Sequence, residues 1–265
     1  MLGCIFRDIG EKGFKFYFFL FIAIIYLPLV LLVIFSFNNS ILMGFPWRGF
    51  TLKWWEQFLH NPTALGVVKN SFIVASVAAV VSTASGLLAA FVLVRHIFRG
   101  KNLITYSIVL PMLFPAIVVG ISILIFLRSV LNINLSLFTI MIGHILFALP
   151  YVTLILMARL IGFDRSLEEA AYDLGADEFT TFRKITLPLI MPGIFVALFI
   201  AFTISLEDVV IAHFLAGAQS TIPVFVYGQL RRWSGLPMVM AISAFMIMIM
   251  AVLLIISLIS ARRGY

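Results

Sequence analysis

The chain has 265 residues, of which 63% are hydrophobic and only 11% charged, with a net charge of +7. A soluble domain carries about 25% charged residues, so water is excluded as the main solvent, and the single cysteine, Cys4, excludes an internal disulfide. A positive excess would suggest nucleic acid for a soluble protein; here it orients membrane spans instead, and no nucleic-acid partner is expected.

A transmembrane helix needs about 20 mostly apolar residues to cross the hydrocarbon core. Six charge-free windows meet that length: Phe16 to Phe37, Asn70 to Val94, Asn102 to Leu127, Ser129 to Ala158, Ile185 to Leu206 and Trp233 to Ala261. None shows the strict alternation of a barrel strand. The expected spans are 16–37, 70–94, 102–127, 135–158, 187–206 and 238–260, all in one membrane domain, 1–265. The first exceeds a signal-peptide core and lacks a small-residue cleavage site, so it is read as a span.

Counted on alternate sides, the two termini, the loop at 95–101 and the segment 159–184 hold 12 Lys and Arg, against 6 on the opposite side. The positive-inside rule then places both termini in the cytoplasm. Pro28, Pro111, Pro115, Pro150, Pro188 and Pro192 lie within or beside spans, where freed carbonyls need other partners. Kinks around a pathway and the ordinary abundance of proline in membrane helices both fit them.

The loop 162–186 reads as two short helices joined by a sharp turn. Ser166 and Glu169 have capping-box spacing, Gly175 is a natural stop, Asp177 can cap the second helix, and Pro188 suits the first turn of span five. Leu167, Ala170, Ala171 and Leu174 recur at i, i+3, i+4 and i+7, forming a narrow apolar stripe. Such a stripe either docks another surface or packs on the protein's own span ends.

Glu169-Ala170-Ala171, then Gly175, Ile185 and Leu187-Pro188, fall in fixed spacing within twenty residues. This pattern resembles the EAA loop of permease subunits of binding-protein-dependent ABC importers. Phe35 to Ser40, Gly49 to Trp55, Phe98 to Lys101 and Phe202 to Val210 are similar to the spermidine/putrescine branch of that family, its PotC-like permeases in particular. Relatives of the same layout carry opines or aminophosphonates, and Glu207-Asp208 stands where paired aspartates occur in the polyamine permeases.

The resemblance implies an all-α integral membrane fold of the type I importer kind, with six transmembrane helices and a cytoplasmic coupling helix between spans four and five. Glu169, Ala170, Ala171 and Gly175, with Leu167 and Leu174 of the stripe, would contact an ATP-binding cassette ATPase dimer. The other implied partners are a second permease, as a heterodimer, an extracytoplasmic solute-binding protein and membrane lipid. The location would be a bacterial inner membrane.

Beyond the cytoplasmic segments the only acidic residues are Glu56, Glu207 and Asp208. Glu207 and Asp208 end span five, and carboxylates at that depth either face a polar path or hold a structural partner such as Arg128, Arg231 or Arg232 or a helix end. Trp47, Trp54 and Trp55 suit either an interfacial belt or a cationic ligand, and His144 is read as a histidine bonded between helices.

An integral membrane enzyme would need a clustered constellation, and the chain has no HExxH, no metal-spaced Cys or His set, no GxSxG and no P-loop. No catalytic residue, metal or cofactor is expected, and ATP hydrolysis is expected on a separate subunit. A self-sufficient secondary transporter would show inverted repeats or coupling-ion carboxylates.

Overall fold

The computed structural model describes residues 2–41, 44–230 and 235–262, and side chains for 13–41, 44–230 and 235–255. Among these residues the chain is helical, with one isolated antiparallel bridge between Asn38 and Phe50. In order the helices are α1 (Leu2–Phe35), α2 (Lys53–Leu59), α3 (Pro62–Arg95), α4 (Lys101–Val109), α5 (Ala116–Ile125), α6 (Leu137–Ile161), α7 (Ser166–Asp173), α8 (Glu178–Thr181), α9 (Leu187–Glu207), α10 (Val210–Leu215), α11 (Ile222–Gln229) and α12 (Leu236–Arg262).

Five stretches are long and apolar enough to cross a membrane: Gly13–Phe35, Pro62–Arg95, Leu137–Ile161, Glu178–Glu207 and Leu236–Ile255. A sixth is counted if the bent pair Lys101–Leu113 and Ala116–Val130 forms one span. The sequence suggests a single span over 102–127, but its two halves are bent by 109° from one another. Phe114 is extended (ψ 142°) because the residue before a proline is pushed out of the helical region, and Pro115 (ψ 137°) then opens α5. The paired prolines, Pro111 and Pro115, thus break the third apolar window rather than merely curving it.

The chain divides into two compact units, residues 1–61 with 228–251, and residues 62–227 with 252–265. In the first, the loop after α1 is tied by its own polar groups. The Arg48 amide donates to Asn38 Oδ1 (2.9 Å) and the Trp54 indole donates to the Asn38 carbonyl (2.9 Å). Trp54 is only 8% exposed, and Trp55 stacks on Phe37 with ring centroids 5.5 Å apart. Trp55 therefore spends a ring face on the loop itself, while the Lys53 ammonium lies over the buried Trp54 ring, 5.3 Å from its centroid.

In the second unit α3, α6 and α9 pack around Ala79, Ala90, Ala148, Val152, Leu156, Leu160, Ile190, Ala197 and Ala201. Small side chains let membrane helices approach closely, where dispersion contacts replace the hydrophobic driving force that lipid removes. A second cluster places Ile211, Ala212 and Leu215 of α10 against Val74, Leu127 and Ile140.

α8 runs without interruption through a π-turn at Phe182–Thr186 into α9, so 178–207 is one continuous helix. Pro188 lies in the first turn of α9 as expected, but that turn continues a helix rather than opening one. The wide turn receives it: the Leu187 amide bonds to the Phe182 carbonyl five residues back, relieving the crowding a proline imposes on a regular ladder.

Candidate functional site

The segment between α6 and α9 begins differently from its capping-box reading. Arg165, not Ser166, is the residue before α7, its backbone is already helical, and no Ser166–Glu169 box closes. Asp164 does that work instead, its Oδ1 accepting the Ser166 amide at 3.0 Å. Both the amide and the hydroxyl of Ser166 favour the ionised carboxylate, holding Asp164 below its usual 3.8. The box does not form because Ser166 is already inside the helix and the Glu169 amide it would have to cap donates to the Arg165 carbonyl at 3.0 Å. The structure closes its capping box at Ser136 and Thr139, at the head of α6.

The C-terminus of α7 is a Schellman motif. The Ala176 amide reaches the Ala171 carbonyl (3.0 Å) and the Gly175 amide the Tyr172 carbonyl (2.9 Å), with Gly175 at φ +83°. Asp177 then precedes α8 in an extended conformation, without a closed cap hydrogen bond, although Thr180 stands close enough to lower its carboxyl below the usual range.

This frame turns most of the α7 stripe away from the chain. Leu174 is 90% exposed and Leu167 45%, and Ala170 and Glu169 are also exposed, whereas Ala171 is buried. Packing on the protein's own span ends thus accounts for Ala171 alone.

The inward face carries a residue the sequence reading passed over. Glu168 is 6% exposed, and its Oε1 accepts both Arg95 Nη2 at 2.9 Å and the Thr186 hydroxyl at 2.6 Å. Arg95 is the last residue of α3 and Thr186 the last of the π-turn before α9. Beside them Tyr172 has its phenol pushed up by burial, then by the charges of Glu168 and Glu178. Glu168 could have been found by helical phase, since it precedes buried Ala171 by three positions.

At the end of α9 the two carboxylates part company. Glu207 is exposed, whereas Asp208 has a 9% exposed side chain and lies 3.2 Å from His144 Nε2 through Oδ2. The same oxygen accepts the Ala212 amide (2.9 Å), satisfying a free donor at the head of α10. His144 Nδ1 meets Ser205 Oγ at 2.6 Å, so α6 and α9 share a buried polar row. Arg128 is held by Asn134 Oδ1 at 2.7 Å, and pairing with Arg231 or Arg232 lies outside the described residues. Among the described residues no group of three or more His, Cys, Asp or Glu could hold a metal.

Residues 82–265 match the model of a family described as the binding-protein-dependent transport system inner membrane component. The spermidine/putrescine transport system permease protein PotC of Haemophilus influenzae is 36% identical over 242 residues, 91% of this chain and 93% of that protein. PotC of Escherichia coli K12 is 36% identical over 241 residues (91% and 90%), and the putrescine transport system permease protein PotI of the same strain 37% over 214 residues (78% and 76%). Among solved structures, a chain of a bacterial ABC transporter that imports the acidic polysaccharide alginate superposes with a TM-score of 0.74 at 18% identity, covering 98% of each chain. A chain of the inward-facing MetNI methionine ABC transporter gives 0.64 at 15% identity, over 77% of this chain and 96% of that one. These likenesses in fold accompany a family match over more than two thirds of the sequence, and the chain belongs to the inner membrane components of binding-protein-dependent transport systems.

Proposed function

We propose that this chain is a permease subunit of a polyamine-importing ABC transporter, forming part of the path for spermidine or putrescine and taking its energy from a separate ATPase. The observation that carries the reading is the 36% identity to PotC over nine tenths of both chains. The partners are an ATP-binding cassette ATPase dimer, a second permease in a heterodimer and an extracytoplasmic solute-binding protein. With the bent pair as one crossing there are six, so both termini lie on one side, and the excess of Lys and Arg on that side supports the cytoplasm.

In this reading Leu167, Glu169, Ala170, Leu174 and Gly175 form the ATPase contact, while Ala171, expected there from the stripe, is buried and backs that surface from within. The supporting feature is the exposure of Leu167 and Leu174 on a helix whose inner face is otherwise satisfied. A large apolar side chain left out on a polar loop marks an interaction surface more clearly than scattered exposure in a lipid-facing span. At the far end, Glu207 faces the solute path and attracts ammonium groups, while Asp208 shapes that path by holding α10 against α6. Closure of the ATPases on ATP moves the loop and the spans joined to it, and hydrolysis resets them.

The test is ATPase activity of the reconstituted four-component complex, titrated with spermidine, putrescine, an opine and an aminophosphonate. Stimulation by the polyamines alone is expected. Stimulation by another of these solutes would retain the importer and discard the substrate, and a chain that moves solute without any ATPase would discard the importer.

A further inference from the structure

We infer that Glu168 is the positioning residue through which movement of α7 reaches the spans, acting as a charged tie to α3 and α9 at once. The inference rests on the importer reading above and adds the physical link that reading leaves open.

An eight-residue helix is too short to hold itself together in water, so α7 keeps its place only through what it touches. Its outward residues touch nothing that would hold it: Leu174, Leu167 and Ala170 are exposed. Inward it buries only Glu168 and Ala171. A methyl group offers a contact that slides, whereas a carboxylate oxygen accepting two directed hydrogen bonds defines a position. Those two bonds go to separate elements, the Arg95 guanidinium ending α3 and the Thr186 hydroxyl at the head of α9.

The surroundings strengthen the tie. The Glu168 and Arg95 side chains are each 8% exposed, so the pair escapes the solvent screening that weakens surface ion pairs. Removing one partner of such a pair leaves a buried charge without compensation, so the native register is strongly preferred over a shifted one. Arg95 is further held over the Phe163 ring at 5.5 Å, and Phe91 packs edge-on to Phe182 of the π-turn with centroids 5.0 Å apart. Beyond these ends α3 and α9 share the small-residue core with α6, whose close packing transmits displacement rather than absorbing it. A push on α7 is therefore delivered to both helices together.

Glu168 is too buried to belong to the docking surface, which separates its role from that of its neighbour Glu169. In proteoliposomes holding the full complex, the ratio of spermidine imported to ATP hydrolysed is measured alongside ATPase co-purification. Glu168→Gln is expected to keep co-purification within twofold while the ratio falls at least tenfold. The exchange Arg95→Glu with Glu168→Arg is expected to recover at least a third of the ratio, and Thr186→Val, nearly isosteric, to lower it about threefold. If Glu168→Gln fails to insert, the exchange and Thr186→Val decide the matter.

A wild-type ratio in Glu168→Gln or in Thr186→Val would overturn the inference and leave the importer reading intact. Loss of co-purification in step with the ratio would also overturn it, because Glu168 would then merely support the docking surface. Should the unaltered complex ignore spermidine, the substrate assignment fails by itself, and the ratio is read with whichever solute stimulates its ATPase.

Discussion

The imidazole of His144 on α6 lies 3.2 Å from the carboxylate of Asp208, with the two side chains 1% and 9% exposed. Asp208 is bonded by the amide of Ala212, while the ring nitrogen of His144 stands beside it without a hydrogen bond. Asp208→Ala removes the cap of α10 and the contact with the ring, and is expected to destabilise the purified chain by about 1–3 kcal/mol, as loss of a buried hydrogen-bond partner does. Asp208→Asn keeps an oxygen for the amide and is expected to cost about half as much. Thermal unfolding in detergent distinguishes them. Equal loss in both variants would mean that the α10 cap contributes nothing.

Gly175 has φ +83°, and a Cβ built there has no neighbour within 4 Å. The cost of replacing it is therefore backbone strain rather than collision. Gly175→Asn, which tolerates this region, is expected to behave nearly as wild type, while Gly175→Val costs about 1–2 kcal/mol and distorts the exit of α7. The chain should still insert in the membrane, but its ATPase association should fall at least fivefold in a pull-down. Unchanged association in Gly175→Val would separate the turn from docking.

Much of this was legible beforehand. Span length and the basic loops follow from the cost of charge in hydrocarbon, and Gly175 ends α7 in the Schellman geometry its position suggests. Pro111 and Pro115 allow a kink or an ordinary membrane helix alike, and apolarity gives no direction to a helix, so neither the place nor the size of the bend at Phe114–Pro115 is in the sequence. The capping box failed because α7 starts one residue earlier than the spacing suggests, so the Glu169 amide is already bonded to the Arg165 carbonyl. His144 makes the bond between helices that is expected of it, but neither its partner Ser205 nor the Arg95 partner of Glu168 can be read, because the bonds reach 61 and 73 residues along the chain and no local period reports that.

Gly143 sits where α10 crosses α6. A Cβ there would fall inside the Leu215 side chain and 2.8 Å from Ile211 Cγ2, both fully buried. Gly143→Val is expected to cost at least about 1–3 kcal/mol by overpacking. Leu215→Ala should recover part of it when the two are combined, because contacting sites are not additive. A thermal double-mutant cycle with no coupling would show that α10 moves aside freely.

The carboxyl of Asp164 is lowered by its bonds to Ser166, so its folded pKa lies below the unfolded value near 3.8. A depressed pKa gives stabilisation that is fully present above the unfolded value and lost as pH falls through the folded one. Hydrogen exchange at the head of α7, corrected for the intrinsic rate, should therefore show constant protection from pH 5 to 8. Any change of transport within that window must then come from other groups, and protection that itself varied there would contradict the Asp164 cap.

Leu174 offers the sharpest separation of docking from folding, since it is 90% exposed and its replacement removes almost no contact within the chain. Leu174→Glu should leave the unfolding temperature of the isolated chain within about 2 °C, as exposed substitutions alter stability by less than about 0.5 kcal/mol. Burying a leucine in a partner's cleft contributes about 1.5–3 kcal/mol, so affinity for the ATPase should drop between about tenfold and 150-fold. Titration of the detergent-solubilised chain with the ATPase, followed by fluorescence anisotropy, reads this directly. A loss of stability instead of affinity would show that Leu174 packs on its own chain, and unchanged values of both would remove it from the docking surface.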